Sequence, residues 1–288
     1  MRILVLGRSG QLATALAERA EVSPAITLTC LGRPEIDFAQ AASLADVVAA
    51  QRPDLIVNAA AYTAVDRAEA EPEAAFAINS EGAGAAAAVA ARLGLPFIHV
   101  STDYVYSGDK PDAYVESDAT APLGVYGRSK LAGEAAVRAA HPSPLILRTS
   151  WVFSPFGANF LKTMLRLGAE RAEISVVDDQ RGNPTSALDL ADAILRIAPG
   201  LGAGGTYHVS NEGSTTWCGF ARHIFATSSA LGGPSPAVRP ITTAEYPTPA
   251  RRPANSRLST DAFAERFGFR PGPWQDATDA VVRRLLRG

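Results

Sequence analysis

Residues 2–20 read RILVLGRSGQLATALAERA, and how this stretch is read decides the fold. The continuous apolar run at residues 3–6 suits a strand buried on both faces, and the apolar spacing from Gln11 onward suits a helix. Between them lie Gly7 and Gly10, with Ala13 completing a G-x-x-G-x-x-[GA] pattern. Glycines at such a turn let the backbone approach a pyrophosphate, which then meets the positive end of the following helix. The spacing departs from the dinucleotide fingerprint G-x-G-x-x-G, so the location between strand and helix carries the assignment more than the letters do.

Outward from this unit the same rhythm repeats. Strand ITLTCL (26–31), helix AASLADVVAAQR (41–52) and strand DLIVNAA (54–60) come first. A long helix from about Glu73 to Leu93, strand FIHVS (97–101), a helix opened by YGRSK (126–130) and strand LILRTS (145–150) follow. Alternating strands and helices predict an α/β fold, a Rossmann-type doubly wound parallel sheet, with residues 1–150 as a dinucleotide-binding domain. After Trp151 the pattern loosens into a helix near NFLKTMLRLGAE (159–170), short strands ISVV and TYHVS, a helix LDLADAILRIA (188–198) and the Pro-rich run at 239–258. Residues 151–288 are expected to form a smaller α/β substrate-binding region over the C-terminal edge of the sheet, the chain returning to the sheet around 186–212.

Composition narrows the classes. A net charge of −2 gives no broad attraction for nucleic acid or an anionic membrane, so neither is expected as a partner. The longest small-apolar run, AGAAAAVAARLGL from Ala83, is too short and too Ala-rich for a membrane span. Cys30 and Cys218 have no paired spacing and read as small hydrophobes in a reducing cytoplasm. The four histidines (99, 141, 208, 223) have no metal-ligand spacing, and GRSG is not a hydrolase elbow.

Only three of the 27 basic residues are lysines: Lys110, Lys130 and Lys162. Lys130 follows Tyr126 by one helical turn, so the two share a helix face. A neighbouring ammonium is expected to lower the phenol's pKa by about 1–3 units, making Tyr126 a proton donor to a developing alkoxide. Thr102, in STDYVY after the fourth strand, presents a hydroxyl at the same sheet edge.

These residues resemble the extended short-chain dehydrogenase/reductase superfamily. Within it, GRSGQLA, VNAAAYTAVDRAEAEPE, VSTDYVYSG, YGRSKLAGE, RTSWVF, DDQRGNPT and YPTPARRPANSRL resemble the dTDP-4-dehydrorhamnose reductase family, and the resemblance spans almost the whole chain. It implies reduction of a 4-keto sugar nucleotide by a nicotinamide cofactor, the last step of dTDP-L-rhamnose synthesis. Thr102 would hydrogen-bond the 4-oxo group, Tyr126 would donate the proton, and Lys130 would hold the nicotinamide ribose and tune Tyr126. Gly7, Gly10, Gln11 and Leu12 would meet the cofactor phosphates, Asp37 and Phe38 the adenine side, and Ala61, Tyr62 and Thr63 the ribose region. Asp103 and Trp151 would border the sugar nucleotide, with Asn79 and the DQRGNPT loop nearby.

NADPH is expected in preference to NADH, with NADH possible. The second strand runs into Gly32 and Arg33 without the acid that binds a ribose 2′-hydroxyl, and Arg33, with Arg8, can meet a 2′-phosphate. Some family members bind Mg²⁺ through glutamates; where one would stand, this chain has Leu188, so no metal is expected. The partner expected is a dTDP-sugar, with the chain a monomer or weak homodimer. The alternatives are a reductase or epimerase of another nucleotide deoxysugar and a non-catalytic regulatory subunit; an intact Thr102, Tyr126 and Lys130 argues against the last.

Overall fold

The structure, a computed structural model, describes residues 1–38 and 44–287. The first three residues of the helix expected at 41–52 therefore lie outside the described residues. Six parallel strands form the central sheet: β1 (Arg2–Leu6), β2 (Thr27–Leu31), β3 (Leu55–Asn58), β4 (Phe97–Thr102), β5 (Leu145–Thr149) and, after four short strands outside this sheet, β10 (Gly205–His208). Their spatial order is β10-β5-β4-β3-β1-β2. The chain leaves β1 outward to β2 and then crosses back to β3, so the switch point lies between β1 and β3, where an open α/β sheet leaves a crevice at its carboxyl edge.

Helices α1 (Gln11–Glu21), α2 (Leu44–Gln51), α3 (Val65–Ala68), α4 (Pro72–Phe76), α5 (Ala83–Arg92) and α6 (Val125–Ala140) belong to the first half. In the second half come α7 (Phe160–Glu170), α8 (Ala187–Ile197), α9 (Trp217–Ala230), α10 (Asp261–Phe267) and α11 (Trp274–Arg287). Alternate residues of each strand serve opposite faces. Ile3, Val5, Leu55, Val57, Ile98, Leu145 and Leu147 bury against Leu12 and Leu16 of α1 and Leu190 and Ile194 of α8. Leu4, Leu6, Ile56, Phe97 and Ile146 bury on the other face against Leu44, Val48, the alanines of α5 and Val137 of α6. Two covered faces explain why the strands read as unbroken apolar runs. The doubly wound parallel sheet read from the sequence is thus the observed fold.

A third core, built by Phe153, Leu161, Leu165, Ile174, Cys218, Phe220, Ile224, Trp274 and Val281, belongs to the second half. It carries the small pairs: β6 (Val152–Phe153) with β9 (Thr185–Ser186), β7 (Glu173–Val177) with β12 (Ala237–Ile241), and β8 (Arg181–Gly182) with β11 (Thr215–Thr216). The Pro-rich run thus supplies an edge strand: Pro240 pairs with Val176 in a two-stranded sheet, where a missing N–H can face outward.

The single helix expected from Glu73 to Leu93 differs in the structure. It is α4 and α5 joined through a π-helical turn at Ala77–Gly82. The turn swings Asn79 inward, so that its amide accepts from Tyr62 N at 2.8 Å and donates to Tyr62 O at 3.1 Å and Ser129 Oγ at 2.9 Å. Helix α6 presses so closely on this turn that a Cβ at Gly133 would stand 2.0 Å from the Asn79 carbonyl oxygen.

Candidate active site

A cleft of about 1000 Å³ opens over the carboxyl ends of β1, β3 and β4. Gly7, Gly10, Gln11, Leu12, Arg33, Asp37, Phe38, Ala61, Tyr62 and Thr63 line one end, and Thr102, Asp103, Tyr126, Lys130 and Trp151 the other. Asn79 does not line it: only 1% exposed, it braces the Tyr62 backbone from beneath.

At the first end Gly7 takes a φ of 128°, open to glycine, and its N–H donates to Leu31 O at 2.7 Å. Gly10 is the N-cap of α1, with no side chain capping the helix, and a Cβ there would meet nothing within 4 Å. Open helix N–H groups facing a cleft form an anion site. Gln11 has only its backbone open to that end, because its side chain is engaged elsewhere: Nε2 donates to Val152 O at 3.2 Å, and Oε1 accepts from Ser154 Oγ at 2.7 Å and Asn159 Nδ2 at 3.0 Å. Around the rim, Arg8 meets Glu35 at 2.6 Å and Arg33 meets Asp37 at 3.5 Å. The strand end lacks an acid, as read, yet the fold brings Glu35 back onto Arg8; sequence distance hid that pairing.

At the other end Tyr126 sits in the first turn of α6, and Lys130, one turn on, donates from Nζ to Val100 O at 2.7 Å. Thr102 closes β4; its Oγ1 donates to Asp103 Oδ1 at 3.0 Å and accepts from Tyr104 N at 3.2 Å. Burial governs the ionisation here. It pushes the Tyr126 phenol up to about 12, a hydrogen bond with Thr102 offsetting part of the rise and the Asp103 charge adding to it. Burial likewise raises Asp103 to about 7 and lowers Lys130 to about 8, Glu134 opposing the latter. The phenol lowered by its lysine, expected from Tyr-x-x-x-Lys spacing, is therefore not what the structure has: desolvation raises it, and the ammonium is turned to a strand carbonyl.

Trp151 has a φ of 45°, unusual for a bulky residue. Its ring stacks on Trp217 with centroids 3.5 Å apart and planes 5° from parallel. Behind it lies Gly182, where a Cβ would stand 2.4 Å from the ring. Trp217 and Phe160 line the cleft too and were missed by sequence reading. A rare tryptophan opening a helix after the TT of β11 was the available signal for Trp217. The DQRGNPT loop supports this wall: Asn183 O accepts from Ser150 Oγ at 2.7 Å and Asn183 Nδ2 donates to Gly213 O at 2.6 Å.

The cleft fits a dinucleotide. The uncapped helix end and the two rim arginines suit phosphates, and the Thr149 hydroxyl, buried in the cleft wall, has no hydrogen-bond partner among the described residues. Among the described residues no group of His, Cys, Asp and Glu is placed to hold a metal ion, and no helix is long and apolar enough to cross a membrane.

Residues 1–287 match the family described as the RmlD substrate binding domain. A dTDP-4-dehydrorhamnose reductase of Sinorhizobium fredii is 47% identical, covering 99% of this chain and 98% of its own. One of Escherichia coli K12 is 42% identical with the same coverage. Among solved structures, the dTDP-4-dehydrorhamnose reductase of Bacillus anthracis in complex with NADP superposes with a TM-score of 0.92 at 37% identity, over 98% of this chain and 99% of that one. That of Clostridium acetobutylicum gives 0.93 at 32% identity, over 99% of both.

Proposed function

This chain belongs to the RmlD substrate binding domain family, and from that premise we propose that it reduces the 4-keto group of dTDP-4-dehydro-β-L-rhamnose to dTDP-L-rhamnose with NADPH. The observation that carries the reading is the meeting of Thr102, Tyr126 and Lys130 at the end of a cleft whose other end fits a dinucleotide.

NADPH, when bound, would supply the hydride, a proton with two electrons, to the sugar's C4. The protein's own groups manage the proton and the geometry. The Thr102 hydroxyl, turning its one proton from Asp103 Oδ1, would donate a hydrogen bond to O4, drawing charge toward that oxygen. Tyr126 gives its phenolic proton to the same oxygen. A phenol pushed up to about 12 is fully protonated at neutral pH, so the donor is loaded, and a developing alkoxide is a stronger base still. Lys130, charged below about 8, would turn from the Val100 carbonyl toward the phenolate left behind until solvent returns the proton. The uncapped end of α1 would hold the pyrophosphate, and Arg33 with Arg8 a 2′-phosphate. Asp103 and the Trp151–Trp217 wall would border the sugar nucleotide.

In domain terms, residues 1–150 with a return over 186–212 would carry the cofactor, and the rest of 151–288 the sugar nucleotide. The reading includes a monomer or weak homodimer in the cytoplasm, where Cys30 and Cys218 stay free thiols. The test is incubation of the pure protein with NADPH and a panel of dTDP-4-keto sugars, following nicotinamide absorbance. Oxidation fastest with the 4-dehydrorhamnose compound is expected; no oxidation with any of them would overturn the proposal.

A further inference from the structure

Helix α6 carries Tyr126, Lys130, Glu134 and Arg138 at four-residue steps, so all four lie along one face. The Glu134 carboxylate is fully buried and saturated with donors. Its Oε1 accepts from Ser101 Oγ at 2.6 Å and Arg148 Nε at 2.8 Å; its Oε2 accepts from Arg148 Nη2 at 2.7 Å and Arg138 Nη2 at 2.9 Å. Arg148 is fixed in turn by Tyr106 OH, at 2.7 Å from its Nη1, and that hydroxyl lies 2.8 Å from His208 Nε2.

Ser101 immediately precedes Thr102 on β4, and Arg148 immediately precedes Thr149 on β5. One carboxylate thus ties the face bearing Tyr126 and Lys130 to the two strands whose last residues enter the cleft. Resting on the reading of Tyr126 and Lys130 above, we infer that Glu134 is a positioning residue of the reaction: it fixes α6 against the ends of β4 and β5, and its carboxylate, one helical turn from Lys130 on the same face, sets the opposite charge beside that buried ammonium.

The surroundings of Lys130 support that role. From β4 come the Val100 carbonyl and His99, which burial holds well below its usual range and so leaves neutral. The short helical turn and the π-helical turn packed against α6 carry Asp103 and the neutral Asn79, and β5 carries Arg148, which is bound to Glu134. On α6 itself stand Tyr126, Glu134 and Arg138. Burial lowers Lys130, and Glu134 is the charge that opposes it.

The signs follow. Glu134→Gln removes the opposing charge and leaves two guanidiniums unbalanced, so Lys130 gives up its proton at lower pH. Arg138→Ala removes one cation from Glu134 and strengthens its field at Lys130, so the proton is kept to higher pH. Arg138 is 44% exposed and its loss leaves the core intact, which covers the case in which Glu134→Gln does not fold.

With three lysines in the chain, ε-¹³C-lysine NMR reads Lys130 directly, assigned by loss of its signal in Lys130→Met and requiring no turnover. The wild-type midpoint is expected near 8, lower by about one unit in Glu134→Gln and higher by a few tenths in Arg138→Ala. The alkaline limb of the kcat profile for 4-keto sugar reduction should move in the same two directions. A Lys130 midpoint unmoved in both variants would overturn the inference, and so would a limb of wild-type shape at reduced amplitude. Inactivity of the wild type on every 4-keto sugar would instead strike at the proposed function, leaving the lysine titration as a separate result.

Discussion

The two ends of the cleft are built from opposite physics. At the cofactor rim, Arg8 and Glu35 pair with side chains 53% and 40% exposed; beneath the reacting end, Arg148 and Glu134 pair at 4% and 0%. An exposed pair in high dielectric contributes little and is screened by salt. A buried pair cannot be halved without stranding a charge in the core. The rim should therefore answer to salt and cofactor phosphate, and the floor to pH and to any loss of a partner.

The sharpest break in that contrast is Tyr126→Phe, which removes one hydroxyl from the floor. It should lower turnover by roughly 10²- to 10⁴-fold while cofactor binding survives. Near-normal turnover at pH 7 would mean the proton comes from elsewhere.

Stability provides the next comparison. Arg148→Ala leaves buried Glu134 only Arg138 and Ser101 and should cost about 3 kcal/mol in denaturant unfolding, the low end for halving a buried pair, whereas Arg8→Ala at the rim should cost about 0–1 kcal/mol. Equal costs would erase the distinction between floor and rim.

Gly182→Ala probes the wall between the two ends. The new methyl must displace the Trp151 ring, lowering kcat/KM for the sugar roughly 10- to 100-fold with cofactor affinity unchanged. An unaltered sugar KM and kcat would remove Trp151 from the substrate wall.

At the rim, Arg33→Ala should reduce the NADPH-over-NADH ratio of kcat/KM by about tenfold at low salt, less as ionic strength rises. Arg33 already faces Asp37, so the effect is smaller than for a lone guanidinium. An unchanged ratio would show that Arg33 does not read the 2′-phosphate.

The same contrast explains what was legible in the sequence. Strands covered on both faces read as apolar runs, and the Gly7–Gly10 turn and the Tyr126–Lys130 spacing are local patterns, so both fold and cleft were found. Long-range partners were not. Glu35 returns to Arg8 across 27 positions, and Trp217 stacks on Trp151 from the first turn of α9. Glu134 stood inside YGRSKLAGE, but nothing local shows that Ser101 and Arg148 converge on it. Helices α9, α10 and α11 and strand β12 also escaped notice, the last because it runs into the prolines from Pro240 onward. The expected lowering of the Tyr126 phenol failed because sequence spacing shows neither the desolvation that raises it nor the strand carbonyl to which the Lys130 ammonium turns.

The central claim, that hydride reaches sugar C4 while this chain supplies the proton, is tested most directly with NADPH carrying deuterium at both positions of nicotinamide C4 and dTDP-4-dehydro-β-L-rhamnose. The account predicts dTDP-L-rhamnose with one deuterium at C4 for each NADPH consumed, and none formed by Tyr126→Phe on the same timescale. Product without deuterium at C4, or cofactor oxidised with the keto sugar unchanged, would contradict it.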